Sequence, residues 1–300
     1  MPCADLECCA RIMIARPGLR LARCAVAAGA RRSSAGAYAV ARYRNLDDAP
    51  AAARDAWRRS DATLHGEMRK RVPAALKHNG EEAFDDHLVG VQSVLRAWGA
   101  PEHVTNAALF HSIYGTEGFQ GYALPLDQRG DVAGLIGARA ERLAWIFCMV
   151  DRETVDATAL APPPAGAAPA FAARAELGGF AMPLRDRAEW LDFLALSLAD
   201  WLEQVEGAAT KALPSPVGGA DVWAAGEAWA YRRAAYEAMA GVRAAEGDAW
   251  VATAAPAMYA EVFANEPAAT RGLCIAKTPP MGPAALAARD AAAAAALRFD

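Results

Sequence analysis

The 300-residue sequence predicts an all-α protein, a helical bundle followed by a C-terminal helical extension. Three observations predict it. Alanine dominates the composition, the two-residue alternation of half-buried strands is scarce, and apolar residues recur at spacings of three and four, the period of one helix face.

Residues 1–44 stand apart from the rest. They hold eight arginines and no lysine, with Asp5 and Glu7 as their acids. That composition fits an organelle transit peptide and fits a disordered N-terminus equally well. The whole chain carries −4, so this +6 segment leaves −10 on residues 45–300. A body so acidic argues against a nucleic-acid partner, which needs a basic footprint. Phosphate-bearing small molecules stay compatible, because a metal or a local arginine can hold them.

Residues 45–212 make up the main helical domain. Asp85 and Asp86 open a helix whose stripe of Val91, Val94, Leu95 and Trp98 stops at Gly99, and Pro101 starts the next. Leu135, Ala138, Leu143, Ile146 and Val150 predict one long helix ending near Asp151. Residues 155–186, rich in Pro, Ala and Gly, read as an insertion or flexible loop. The segment LDFLALSLADWLEQV then returns as a helix apolar on nearly every side, with Asp200 inside it. After the break LPSPVGGA, a helical hairpin is expected over 213–277, with Trp223, Trp229, Tyr231 and Tyr236 packing it onto the bundle. An alanine-rich tail, 278–300, has little to bury.

No segment reaches the ~18 to 20 uninterrupted apolar residues of a membrane span. The longest, 190–202, contains Asp192 and Asp200. The expectation is a soluble protein, cytoplasmic or, if residues 1–44 are a transit peptide, organellar. Six cysteines at 3, 8, 9, 24, 148 and 274 show no CxxC pairing, so neither a zinc ribbon nor a disulfide scaffold is predicted and a reduced compartment is the simplest reading. Gly-rich phosphate loops, nucleophile elbows and HExxH pairs are absent from the sequence.

The residues with chemistry to offer are His87 at the head of one amphipathic helix, His111 in the apolar run NAALFHSIYGTE, and Asp200. A buried imidazole needs a partner for each ring nitrogen, and a buried carboxylate is costly unless paired or metal-bound. Each has an ordinary alternative. His87 can bond a capping carboxylate in its own first turn, His111 can donate to a backbone carbonyl beside Ser112 and Tyr114, and Asp200 can pair with Arg139 or Arg142. Taken together they point to a shared pocket for a divalent cation. His65, His78 and His103 lie in polar surroundings and read as surface residues, with His78 also placed for a pocket mouth.

These residues resemble the HD-domain superfamily, whose metal site is a histidine, a His-Asp pair and a distant aspartate. The alarmone-hydrolase branch is the most similar. Gly80, Glu81 and Phe84 before His87 resemble its Gly-Glu-aromatic turn, Ala107 to His111 its apolar helix, Ile136 and Gly137 its middle helix, and Ala199, Asp200, Trp201 and Leu202 its Ala-Asp helix end. The resemblance spans roughly residues 77–206 and is carried by pattern more than identity. It departs at two places. Ser112 stands where the family has the aspartate of the pair, and Gly115 and Thr116 stand where it has a catalytic Glu-Asp. The run FHSIYGTE also resembles a family of uncharacterised proteins, which brings no activity with it.

The resemblance implies an HD-like bundle in which His87, His111 and Asp200 hold manganese, iron or a similar ion. Ser112, through water, or Glu117, folded back at Gly115, would complete the site. Lys77, His78 and Arg96 would contact phosphate in a small phosphoester or nucleotide. Oxygenase chemistry, known elsewhere in the superfamily, is open if the ion is a redox iron. The alternative is a metal-free relative that keeps the pocket for binding or scaffolding.

Overall fold

The computed structural model describes residues 49–72, 77–78, 82–117, 123–210, 213–214, 222–223 and 227–246. Among them are eight α-helices: α1 (Ala51–Arg71), α2 (Phe84–Ala97), α3 (Glu102–Phe110), α4 (Arg129–Ile136), α5 (Ala138–Met149), α6 (Arg152–Leu160), α7 (Arg187–Thr210) and α8 (Glu227–Ala245). Three two-stranded antiparallel ladders sit between them. They pair β1 (Lys77–His78) with β2 (Glu82–Ala83), β3 (Ala170–Ala172) with β4 (Ala181–Pro183), and β5 (Leu213–Pro214) with β6 (Val222–Trp223). The fold is all-α.

Helix α2 follows its sequence pattern closely. Asp85 and Asp86 lie in its first turn, where negative charge complements the helix dipole. Phe84, Leu88, Val91 and Leu95 return to one buried face at spacings of four and three. Gly99, at φ 79°, ends the run in a conformation that a residue with a Cβ adopts at a cost. Pro101 then caps α3, which buries Val104, Ala107, Ala108 and Phe110.

Helices α2, α3, α5 and α7 form the centre of the bundle. Helix α2 packs on α3 and α7, α3 on α5, and α5 on α7, while α8 lies across α6 and α7. Phe84, Phe110, Phe147 and Phe193 are each at most 1% exposed, and full burial of such a ring contributes about 1.5–3 kcal/mol. The ring of Tyr236 on α8 stacks on Trp201 of α7 at 5.2 Å between centroids and 6° between planes, so α8 docks through an aromatic of the kind predicted to do so.

Two expectations are corrected. The single helix predicted to end near Asp151 is two helices, because Gly137 takes φ 89° and divides α4 from α5. The apolar stripe continues across the break because both pieces pack on the same bundle. Residues 155–186 are no loose insertion. They complete α6 and form the β3–β4 ladder, in which Phe171 opposes Met182 and packs on Phe193 at 5.0 Å. Phe171, Leu177 and Met182 are buried, and alternate residues anchor this ladder to the core although its composition is that of a loop.

Residues 1–44 and 278–300 lie outside the described residues, as does any second helix of the hairpin expected over 213–277. No helix among the described residues is long and apolar enough to cross a membrane.

Candidate metal centre

His87 enters the site from the first turn of α2, one turn after Phe84 and next to Leu88 on the face that α2 turns to the core. His111 stands at the C-terminal end of α3, where the chain leaves the helix through a tight turn that Gly115 closes at φ 76°. Asp200 comes from the middle of α7, whose buried surface extends through Trp190, Phe193, Leu194, Leu198 and Leu202. The three elements meet because α2 packs on both α3 and α7.

The reactive atoms of these three side chains converge. His87 Nε2 lies 3.3 Å from His111 Nε2 and 3.2 Å from Asp200 Oδ1, and His111 Nε2 lies 3.1 Å from the same oxygen. His87 is 1% exposed and His111 is fully buried, while the Asp200 side chain keeps 12% of its surface open. The cluster therefore meets solvent on the aspartate side.

The outer nitrogen of each ring sets its tautomer. His111 Nδ1 donates to the carbonyl oxygen of Ala108 at 2.6 Å, and a carbonyl can only accept, so Nδ1 carries the hydrogen and Nε2 of the neutral ring presents a lone pair. His87 Nδ1 donates to Glu203 Oε2 at 2.6 Å, with the same consequence for its Nε2. Two lone pairs and a carboxylate oxygen thus face one another in a buried space, an arrangement that requires a cation among them. A proton or a metal ion satisfies it.

The triangle fits a metal. Two imidazole nitrogens and a carboxylate oxygen with mutual distances of 3.1–3.3 Å are a donor set that a divalent cation could take as ligands. Among the described residues this is the one group of three or more His, Cys, Asp and Glu side chains with ligand atoms close enough to hold an ion.

Burial works against a charge on His87, but the Glu203 carboxylate foremost, with Asp200, outweighs it and pushes the imidazole up to about 9. Burial likewise works to raise Asp200, yet its interactions with the His111 and His87 imidazoles hold its carboxyl far below the usual range. Both shifts describe a site that attracts positive charge.

The remaining predicted residues take other places. Ser112 is buried in the turn directly after His111. Glu117 does not fold back to the cluster. Its Oε2 accepts the backbone N–H of Arg152 at 3.0 Å, so it serves one of the orphan donors at the start of α6, where Asp151 caps Glu153 N. Arg96, a candidate phosphate contact, is engaged in an ion pair in this structure. It lies nine residues beyond His87, about 13 Å along the helix, forms a two-pronged pair with Asp61 at 2.7 Å for each bond, and stacks over Trp57. Lys77 and His78 occupy β1 opposite Ala83 and Glu82, and their side chains fall outside the description.

The ordinary alternatives are decided residue by residue. Asp85 bonds Arg69 at 2.8 Å, and His87 reaches across to α7. Arg139 pairs with Asp192 and Arg142 with Glu189, which leaves Asp200 to the histidines. The carbonyl partner of His111 is real and coexists with the cluster. His65 and His103 are half-buried rather than surface residues, bonded to Gln92 at 2.8 Å and Asp192 at 2.7 Å.

Three participants were not anticipated from the sequence. Glu203 is 4% exposed and stands one turn after Asp200, so the i, i+3 spacing in ADWLE was the available signal. Cys148 on α5 donates its thiol hydrogen to the carbonyl oxygen of His111 at 3.0 Å, and Phe147 meets the His111 ring edge-on at 4.9 Å. Neither residue has a motif that reveals such contacts.

The fold and the cluster define a class: an all-α protein with a buried two-histidine, one-aspartate group suited to a divalent cation. Residues 67–152 match a family described as a domain of unknown function (DUF6817). That span includes His87 and His111 and ends before Asp200 and Glu203. Comparison with curated proteins and with solved structures found no match.

Proposed function

We propose that the protein is a divalent-metal-dependent hydrolase of a small phosphoester or nucleotide, with His87, His111 and Asp200 as the ligands. The observation that carries this reading is the convergence of two imidazole lone pairs and a carboxylate oxygen within 3.3 Å of one another. When bound, a divalent ion supplies Lewis acidity and makes water nucleophilic near neutral pH. The chain's own contribution is to orient both imidazoles with Nε2 toward the ion, through Ala108 O and Glu203, and to leave a small part of the Asp200 side chain exposed. The net acidity of residues 45–300 favours a small substrate over a polynucleotide. The resemblance to HD-domain phosphohydrolases supports phosphoesters as the class.

The rival is a metal-free binding or scaffold protein. It is favoured by Ser112 in place of a carboxylate and by the engagement of Glu117 at the start of α6. In that case a proton shared among His87, His111 and Asp200 replaces the ion.

Elemental analysis of the purified protein beside His111→Ala tests the two. Near-stoichiometric manganese, iron, cobalt, nickel or zinc that the variant loses, with hydrolysis in a phosphoester screen, supports the hydrolase. Absence of metal in both after reconstitution sinks it and leaves the rival. The finer localisation, an organelle reached through residues 1–44, is tested by fusing that segment to a fluorescent protein, and a diffuse cytosolic signal refutes it.

A further inference from the structure

We propose that Glu203 is a positioning residue for the metal centre, holding His87 with its Nε2 lone pair aimed at the ion, and that Gly90 is the residue that lets it do so. The inference rests on the metal-binding reading of the cluster. Nothing in the HD resemblance or the sequence motifs assigns either residue a role.

Helix register aligns the four residues. Residues three apart share a helix face, so His87 and Gly90 look the same way from α2, and Asp200 and Glu203 the same way from α7. Because α2 and α7 pack together, the two pairs interlock. Asp200 meets His87 Nε2 at 3.2 Å, and Glu203 meets His87 Nδ1 at 2.6 Å. One helix thus grips both nitrogens of a single imidazole on the other. The carboxylate at Nδ1 determines which nitrogen carries the hydrogen and fixes the rotation of the ring about its Cβ–Cγ bond. It also makes the ring a stronger donor through the remaining nitrogen.

Gly90 explains how a glutamate reaches this position. A Cβ built on Gly90 would lie 2.5 Å from Glu203 Oε1 and 2.8 and 2.9 Å from its Cγ and Cδ. Three of the side-chain atoms of Glu203 occupy the space that any other residue at 90 would fill. Glycine in the middle of a 14-residue helix is a weaker helix former than alanine. Here the missing side chain is the seat of the carboxylate. The pattern His-x-x-Gly on one helix and Asp-x-x-Glu on its partner is therefore one device spread over two elements.

The test uses the full chain, with manganese(II) titrated calorimetrically and zinc-loaded protein for nuclear magnetic resonance. Wild type, Glu203→Gln, Glu203→Ala, Gly90→Ala and the double variant Gly90→Ala/Glu203→Ala are compared, each checked for helicity. Removal of an outer partner of a metal-bound histidine typically lowers metal affinity about 10- to 100-fold, so Glu203→Ala is expected in that range, and Gly90→Ala with it. In the Glu203→Ala background, Gly90→Ala should add no further loss, because the group it displaces is gone. The zinc-loaded wild type should show a slowly exchanging His87 Nδ1–H resonance that Glu203→Ala loses while that of His111 persists, and Glu203→Gln, which can still accept, should retain it.

Wild-type affinity matched by Glu203→Ala within twofold, or Gly90→Ala acting equally in both backgrounds, overturns the role of Glu203 while the metal centre stands. Failure of the wild type to bind manganese or zinc overturns the metal reading and this inference together.

Discussion

His87 Nε2 and His111 Nε2 face each other at 3.3 Å, and neither can donate to the other while both rings are neutral. A cation between them would resolve this. Without a metal that cation is a proton, favoured on His87 by the Glu203 and Asp200 carboxylates, which push its value up to about 9. A metal would have to displace it.

Metal affinity should therefore rise with pH. Below about 9 each unit of pH should strengthen apparent binding by up to about tenfold, because one proton leaves as the ion enters. Calorimetric titrations in buffers of different ionisation enthalpy, at several pH values from 6 upward, check both the slope and the proton count. An affinity that does not vary with pH contradicts it.

The metal-free protein should show the opposite trend in stability. The folded value of His87 lies above its ordinary 6.5, so its contribution is fully present below that pH and is lost as pH rises through about 9. Denaturant midpoints of chelator-treated protein should fall across that window. Metal-loaded protein should not follow, since its histidine is already deprotonated.

Asp200→Asn keeps the shape of the side chain and one accepting oxygen but removes the charge. Metal affinity should drop by about 100-fold or more, as expected for a hard cation that loses its anionic ligand. Competition with a chromophoric chelator measures it, and near-wild-type affinity would remove Asp200 from the ligand set.

Glu117→Ala separates two roles for that residue. Its carboxylate serves the N–H of Arg152 at the start of α6, so its loss should cost about 1 kcal/mol of stability and leave metal affinity unchanged. A large fall in affinity would place Glu117 in the centre after all.

Arg96→Lys should act on stability alone. It breaks a two-pronged, largely buried pair with Asp61 and the stack on Trp57, and a loss of about 3 kcal/mol is expected. Should the protein hydrolyse a phosphoester, KM is expected to stay within twofold of wild type. A selective rise in KM would restore Arg96 as a phosphate contact.

The all-α fold, helices α2 and α3, and the burial of α7 were legible in the sequence because apolar periodicity and helix stops are local signals. So were the three ligand candidates, since a histidine or aspartate inside an apolar helix is costly and calls for a partner. Gly137 hid a helix break, because glycine inside a periodic stripe is compatible with both a continuous and a divided helix. The β3–β4 ladder was hidden by composition, as three-residue strands offer too few alternations to read. Glu117 and Arg96 were candidates for the site, and the structure gives each a partner outside the cluster, the N–H of Arg152 for Glu117 and Asp61 for Arg96.

The sequence by itself determined which helix faces turn inward and that His87, His111 and Asp200 lie on them, for that follows from the period of a single helix. Only the tertiary structure decided who meets whom. The bond between His87 and Glu203 spans 116 residues and passes over the bare backbone of Gly90. Such a contact depends on how two helices are set against each other, to a fraction of an ångström, and no periodicity within either helix records that.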